Sequence, residues 1–288
     1  MALPPADLLV FAPHPDDESV GAGGIIQQAV GAGKTVRVVF ITSGDGYPQA
    51  MAAHLKRPVA ELRAADFVNL ASARQLEAVA AASILGLHAS DLIFLGYPDG
   101  ALPDVYANES PSGIESPFTK LRSTYGPAVA DYHTSTHGQP ARYTRRSLVA
   151  DATEILRDSE PAQIYVTDQA DTHADHQATF NVVTEAAANV GYSGERLTMV
   201  IHSGSVESWP WPGGATASSG FEAHAVDGTT YPMGVSWPPP VRVPLTAAQC
   251  AVKLKAIAAH ASQCTVDRDY LESFVKAEEL FWRPRQAL

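Results

Sequence analysis

At 288 residues, with 45% hydrophobic and 18% charged side chains, the chain is long enough and apolar enough to bury a substantial core. Its formal net charge of -11, with no basic run, excludes nucleic acid and anionic membrane surfaces as partners, because both require a cationic footprint. No apolar stretch approaches the roughly 20 residues that span a bilayer.

The chain starts MALPPADLLV, without the basic and apolar regions of a secretory leader. Read literally, this places it in the cytoplasm; a leader removed beforehand would leave the same start on an exported protein. The first expected strand is Leu8–Ala12, fully apolar, and it runs into Pro13-His14-Pro15-Asp16-Asp17-Glu18. A histidine and three carboxylates beside a buried strand are costly unless something pairs or binds them. A helix is expected over 20–30, ending at Gly31 and Gly33, which suit a C-terminal cap. The second strand, Val36–Thr42, leads into Gly44-Asp45-Gly46. An Ala-rich helix over 66–85 stops at Gly86, and a third strand over 92–95 leads into Tyr97-Pro98-Asp99-Gly100.

Residues 100–146 form a long, mostly polar connection, expected to be a pocket wall or lid. A helix over 148–157 ends before Pro161. The fourth strand, 164–167, is followed by His173-Ala174-Asp175-His176 and a helix over 177–190 that stops at Gly191. A fifth strand is expected over 199–202. Residues 207–240 are rich in Pro, Gly and Trp and show neither helical nor strand period. The segment Thr246 to Gln249 reads as a capping box before a helix over 250–261. Cys250 and Cys264, the only cysteines, are expected as free thiols.

Short apolar strands alternating with helices predict an α/β, doubly wound, mostly parallel sheet covered on both faces, in a single domain spanning 1–288 with insertions at 100–146 and 207–240. Every charged motif directly follows a strand. Open sheets of this kind bind ligands at the carboxyl ends of their strands, so the motifs are expected to share one crevice.

The chemistry these residues offer is that of a hydrolytic zinc centre. His14 and Asp17, three apart, can grip one ion from a loop entering a helix. His173 and His176, also three apart, share a face if a helix begins near Asp171 or Thr172. Three protein ligands leave zinc a position for water, whose pKa falls towards about 7. Asp16 is then free as general base. An Asp175–His173 pair would favour an imidazolium that stabilises an oxyanion and protonates a leaving amine. Spacing alone leaves open which histidines bind the metal. A plain acidic helix cap needs one carboxylate and no histidine.

Other motifs fail. Gly21-Ala22-Gly23-Gly24 lacks dinucleotide spacing, Gly33-Lys34-Thr35 precedes its strand, and no G-x-S-x-G elbow is present. His133 and His137, four apart in a polar loop, offer at most a second metal site.

The chain resembles the LmbE-like, or PIG-L, deacetylases, which pair an (A/P)HPDDE motif with a later HxDH motif. The resemblance implies a Rossmann-like fold and a zinc-dependent hydrolase that removes the N-acetyl group from an N-acetylglucosamine-type amino sugar, a small-molecule substrate. It implies one zinc ion held by His14, Asp17 and His176, with Asp16 as general base and His173, supported by Asp175, as oxyanion stabiliser or acid. Arg74-Gln75-Leu76-Glu77, followed by Ile84-Leu85-Gly86, is similar to the family's R-x-x-E…LG helix, in which the arginine faces substrate. Tyr97-Pro98-Asp99-Gly100 is similar to its substrate-side Asp loop, and His260-Ala261-Ser262-Gln263 to its C-terminal H-x-S-Q motif. Without that resemblance, Arg74 reads equally as an ion-pair partner of Glu77. The segments that shape substrate choice, 100–146 and 207–240, depart from the pattern. Trp209, Trp211 and Trp237 in the second either stack on a sugar or pack their loop onto the body. Two other readings are a zinc amidase for a bulkier acyl group or thiol conjugate, and a silent sugar-binding module that would need neither base nor acid.

Overall fold

Five short, mostly buried strands form the spine of the molecule. The computed structural model describes residues 3–205 and 208–284. β1 (Leu8–Ala12) is followed by α1 (Asp17–Gly31), then β2 (Val36–Thr42), α2 (Pro48–Leu55) and α3 (Ala64–Leu85). β3 (Leu92–Tyr97) leads into α4 (Leu102–Ala107), α5 (Tyr132–His137) and α6 (Arg145–Ser159). β4 (Gln163–Thr167), α7 (Ala174–Val190) and β5 (Glu195–Met199) complete the alternation. The strand order is β3-β2-β1-β4-β5 and every neighbouring pair is parallel.

Period-two alternation along each strand serves two helical layers. Leu9, Phe11, Val39, Ile41 and Ile93 pack with Leu148 and Ile155 of α6 and Val182 and Val183 of α7. Leu8, Val10, Val38, Phe40 and Phe94 face Ile26 of α1 and Ala78 and Ala82 of α3. The expected doubly wound, Rossmann-like α/β sheet is the observed one. Among the described residues no helix is long and apolar enough to cross a membrane.

The C-terminal part closes over one edge of this sheet. The strands β6 (His224–Val226) and β7 (Thr229–Tyr231) form a hairpin, and β8 (Val241–Pro244) pairs antiparallel with β9 (Glu278–Phe281) across α8 (Ala247–Ala259) and α9 (Ala261–Glu272). Trp282 then bridges to Thr198 of β5, covering the sheet edge. Thr246 and Gln249 form the expected capping box of α8. Cys250 and Cys264 are free and buried.

Two expectations need correction. The fifth strand lies at Glu195–Met199, in register with β4 from Gln163 to Thr167, rather than at 199–202. An edge strand tolerates Glu195, Arg196 and Thr198. The apolar run beyond it, Val200 and Ile201, is instead buried beneath Trp209, Leu271 and Phe274. The segment 207–240 is also not free of strand. Its hairpin turns at Asp227-Gly228, with φ of 47° and 79°, the double left-handed turn that an Asp-Gly pair favours.

Glu279 ties three elements together. It accepts from the backbone amides of Gly24 and Ile25 in α1 at 2.6 and 2.8 Å, and it pairs with Lys253 of α8 at 2.6 Å. Both side chains are 1% exposed. Removing one partner strands a buried charge, so Glu279→Ala should lower stability by about 3–5 kcal/mol, read as a fall in the urea midpoint. Lys253→Met together with Glu279→Leu should restore much of that loss.

Candidate metal centre

β1 is the sheet's switch strand, with β2 on one side and β4 on the other. A crevice opens beyond the carboxyl ends of such neighbours, and here it has a volume of about 270 Å³. Both charged clusters reach it, one following β1 and the other following β4. Its lining includes His14, Asp16, Asp17, Arg74, Asp99 and His173.

The three carboxylates after β1 have three different tasks. Glu18, fully buried, accepts from Asp16 N at 3.0 Å and Ser19 Oγ at 2.6 Å and lies 3.0 Å from His260 Nε2, tying the start of α1 to the α8–α9 junction. Asp17 Oδ2 accepts from His14 N at 2.9 Å, which folds the loop back on itself. Asp16 stands at the N-cap position of α1 but makes no side-chain capping bond, so its carboxylate stays with the crevice. Its φ of 140° lies in a region that disfavours a side chain, a strain of order 1–3 kcal/mol. Burial raises its pKa to about 6, against the pull of the Arg74 guanidinium 3.3 Å away.

Asp17 Oδ2, His14 Nδ1 and His176 Nε2 form a triangle with all three edges 3.3 Å long. Tetrahedral zinc with donors at about 2.0 Å spaces them about 3.3 Å apart. The donor set therefore fits the ion. Buried carboxylates lie beside the far nitrogen of each imidazole. His14 Nε2 lies 3.2 Å from Asp175 Oδ2 and 3.2 Å from Asp99 Oδ1, and His176 Nδ1 lies 3.1 Å from Asp171 Oδ2. Such contacts fix the tautomer and aim the ligating nitrogen. Burial lowers both imidazoles, but the carboxylates outweigh it. His14 is raised well above its ordinary value by Asp99, Asp17 and Asp175, and His176 is raised to about 10 by Asp17 and Asp171. This is a donor set that asks for a cation.

Asp171 was not foreseen as a site residue. It is fully buried, and its carboxylate accepts from the amides of His173, Ile201 and His202 at 2.8–2.9 Å while facing His176. The signal was an Asp two residues before the His-x-Asp-His run. His202, also unforeseen, lines the crevice with Nδ1 3.2 Å from Tyr270 Oη.

The second cluster corrects two expectations. The helix α7 begins at Ala174 with His173 as its N-cap, not at Asp171 or Thr172. Asp175 does not pair with the His173 imidazole. Its carboxylate accepts from Gly100 N at 2.6 Å and Leu102 N at 3.0 Å and backs His14. His173 Nδ1 instead accepts from the Asp175 amide at 3.2 Å, which leaves the proton of the neutral ring on Nε2. Burial and the neighbouring His14 and His176 push His173 down to about 3, the opposite of an imidazolium.

Arg74 and Asp99 both reach the crevice, bound mainly to the protein itself. Arg74 Nη2 donates to Pro15 O at 2.7 Å and Nη1 to Gly44 O at 3.2 Å. A Cβ on Gly44, at φ +68°, would sit 2.5 Å from that guanidinium, so the glycine is what admits it. Asp99 Oδ2 accepts from Gly46 N at 2.8 Å. Glu77 makes no ion pair with Arg74. It accepts from Ser262 N and Oγ at 2.8 and 2.6 Å, linking the R-x-x-E and H-x-S-Q segments.

Residues 100–146 contribute nothing to the crevice lining, although Tyr125 Oη donates to Asp45 at 2.8 Å behind it. The tryptophans also pack elsewhere. Trp209 is buried and donates to Val200 O, and Trp211 stacks on His224 at 3.8 Å. His133 and His137 gather around Asp151, outside the crevice.

Replacing His176 by Ala should abolish stoichiometric zinc binding, measured by metal content after gel filtration. Asp171→Asn should keep the site but weaken zinc by about 10–100-fold in competition with a chromogenic chelator.

No curated protein matches the chain. Among solved structures, N,N'-diacetylchitobiose deacetylase from Pyrococcus horikoshii is 20% identical, with a TM-score of 0.57 over 96% of this chain and 83% of that one. The zinc-inhibited form of teicoplanin deacetylase Orf2 is 17% identical, with a TM-score of 0.51 over 93% and 88%. GalB, the 4-carboxy-2-hydroxymuconate hydratase from Pseudomonas putida KT2440, is 17% identical, with a TM-score of 0.54 over 95% and 83%. Likeness at these identities establishes the fold alone, and the fold carries more than one reaction. The family model described as "PIG-L: GlcNAc-PI de-N-acetylase" matches residues 9–187, a span that holds both His/Asp clusters. The chain belongs to the PIG-L, or LmbE-like, family.

Proposed function

We propose that the chain is a single catalytic domain that hydrolyses the N-acetyl group of an N-acetylglucosamine-type amino sugar with one zinc ion. The observation that carries this reading is the donor triangle of His14, Asp17 and His176 beside a buried Asp16 that makes no capping bond and is held by Arg74. The deacetylases among the structural neighbours and the family's own description support it. A crevice of about 270 Å³ lies near the small end of ligand pockets and suits a small substrate.

Zinc held by the three donors would polarise the acetamide carbonyl and lower the pKa of a water towards about 7. Asp16 accepts the proton of that water on its carboxylate as the water attacks. A carboxylate raised to about 6 is well matched to this at neutral pH. Arg74 holds Asp16 in place through the 3.3 Å ion pair and keeps it ionised before attack. As charge develops on the acyl oxygen, the Nε2–H of neutral His173 donates to it. A neutral His173 has no proton to spare for the amine, so the protonated Asp16 carboxyl returns its proton to the leaving nitrogen. Acetate and a free amine result.

Acetate release from N-acetylglucosamine and N,N'-diacetylchitobiose should be lost on chelation and restored by zinc. Asp16→Ala should retain one zinc per chain and lose about 10²–10⁴-fold in kcat. Full activity in that variant would remove the general-base assignment. Chelator-insensitive release would remove the metal from the mechanism.

A further inference from the structure

The reaction as derived uses the buried floor of the crevice and leaves its half-exposed rim unassigned. Tyr47, Asp267 and Tyr270 line that rim. Asp267 sits where α9 breaks, with non-helical φ and ψ of -115° and 21° inside the helix. Such kinks have identifiable causes, and neither Pro nor Gly is present at this one. What the kink accompanies is a contact across the rim. Tyr47 Oη, at the start of α2, donates to Asp267 Oδ2 at 2.5 Å. Among the described residues the Asp267 carboxylate makes no other hydrogen bond, so Oδ1 is available to a ligand.

With a zinc ion and Arg74 offsetting Asp16, Asp17 and Asp99 on the floor, Asp267 is the charge left without a cation at the rim, and no lysine lines the crevice. The outer nitrogens of Arg74 are already committed. Nη2 faces Pro15 O and Asp16, Nη1 faces Gly44 O and Asp99, and Nε is buried. Arg268, next to Asp267 in sequence, pairs with Glu272 at 3.1 Å and does not line the crevice. A phosphate on the outer part of a substrate would meet Asp267 and find no cation to receive it. A sugar hydroxyl would find an acceptor.

We propose that Asp267, positioned by Tyr47, makes this crevice selective for uncharged N-acyl amino sugars and against those carrying a phosphate. The inference rests on the deacetylase reading for its substrate class and adds a specificity-determining residue outside the family's matched segment, residues 9–187.

The test compares N-acetylglucosamine with N-acetylglucosamine 6-phosphate on the zinc-loaded protein, by acetate release and by calorimetric binding in the same samples. The neutral sugar should be preferred by roughly tenfold or more, the scale of one like-charge contact at a half-exposed site. Asp267→Asn should raise KM for the neutral sugar with kcat little changed and should narrow the preference. Asp267→Lys should bind the phosphorylated sugar better than the wild type does. Equal or better use of the phosphorylated sugar by the wild type would overturn the proposal, as would an unchanged preference in Asp267→Asn. Selective binding of the neutral sugar without acetate release would uphold the selectivity and overturn the deacetylase reading. Binding of neither sugar would overturn the selectivity.

Discussion

The burial of carboxylates beyond the ends of β1, β3 and β4 governs this structure. Asp17, Asp99, Asp171 and Asp175 all lie within a few ångströms of two imidazoles and are nearly inaccessible to solvent. Ionised groups taken out of water need compensating charge or hydrogen bonds at every oxygen. Here backbone amides of Gly46, Gly100, Leu102, Ile201 and His202 supply many of those bonds. The loops after β3 and β5 are thereby pinned to the segment after β4, and the loop after β2 to that after β3. The geometry of the His/Asp cluster and the paths of the surrounding loops are one arrangement, held by the same carboxylates.

The sheet was legible in the sequence because its strands are buried on both faces and its helices are punctuated by Gly86, Gly191 and Pro161. β5 was misplaced for the converse reason. It is an edge strand with charged residues, and a more apolar run follows it. The short strands of the C-terminal part carry little periodic signal, and only the Asp227-Gly228 turn announces the hairpin.

The site was legible in its donors and less so in its support. The Pro-Asp-Asp-Glu run and the His-x-Asp-His run place chemistry-bearing residues after strands, and the fold brings them together. Adjacency in sequence misled for Asp175 and His173, because a residue at N2 of a helix points away from its N-cap neighbour; here it meets His14, far away in sequence. Arg74 and Glu77 illustrate the same point. They sit three apart on one helix, yet one serves the loop after β1 and the other holds Ser262. Long-range pairing of this kind has no local signature.

The contact between His260 and Glu18 joins residues 242 positions apart. Asp267 and Gln263 also reach the crevice from α9. A ribosome making this chain from its N-terminus therefore releases the acidic run of the first loop long before His260 and the helix that encloses it. Loop closure over such separations is slow relative to local helix formation. Until His260 and that helix are made, the acidic end of α1 has only water in their place.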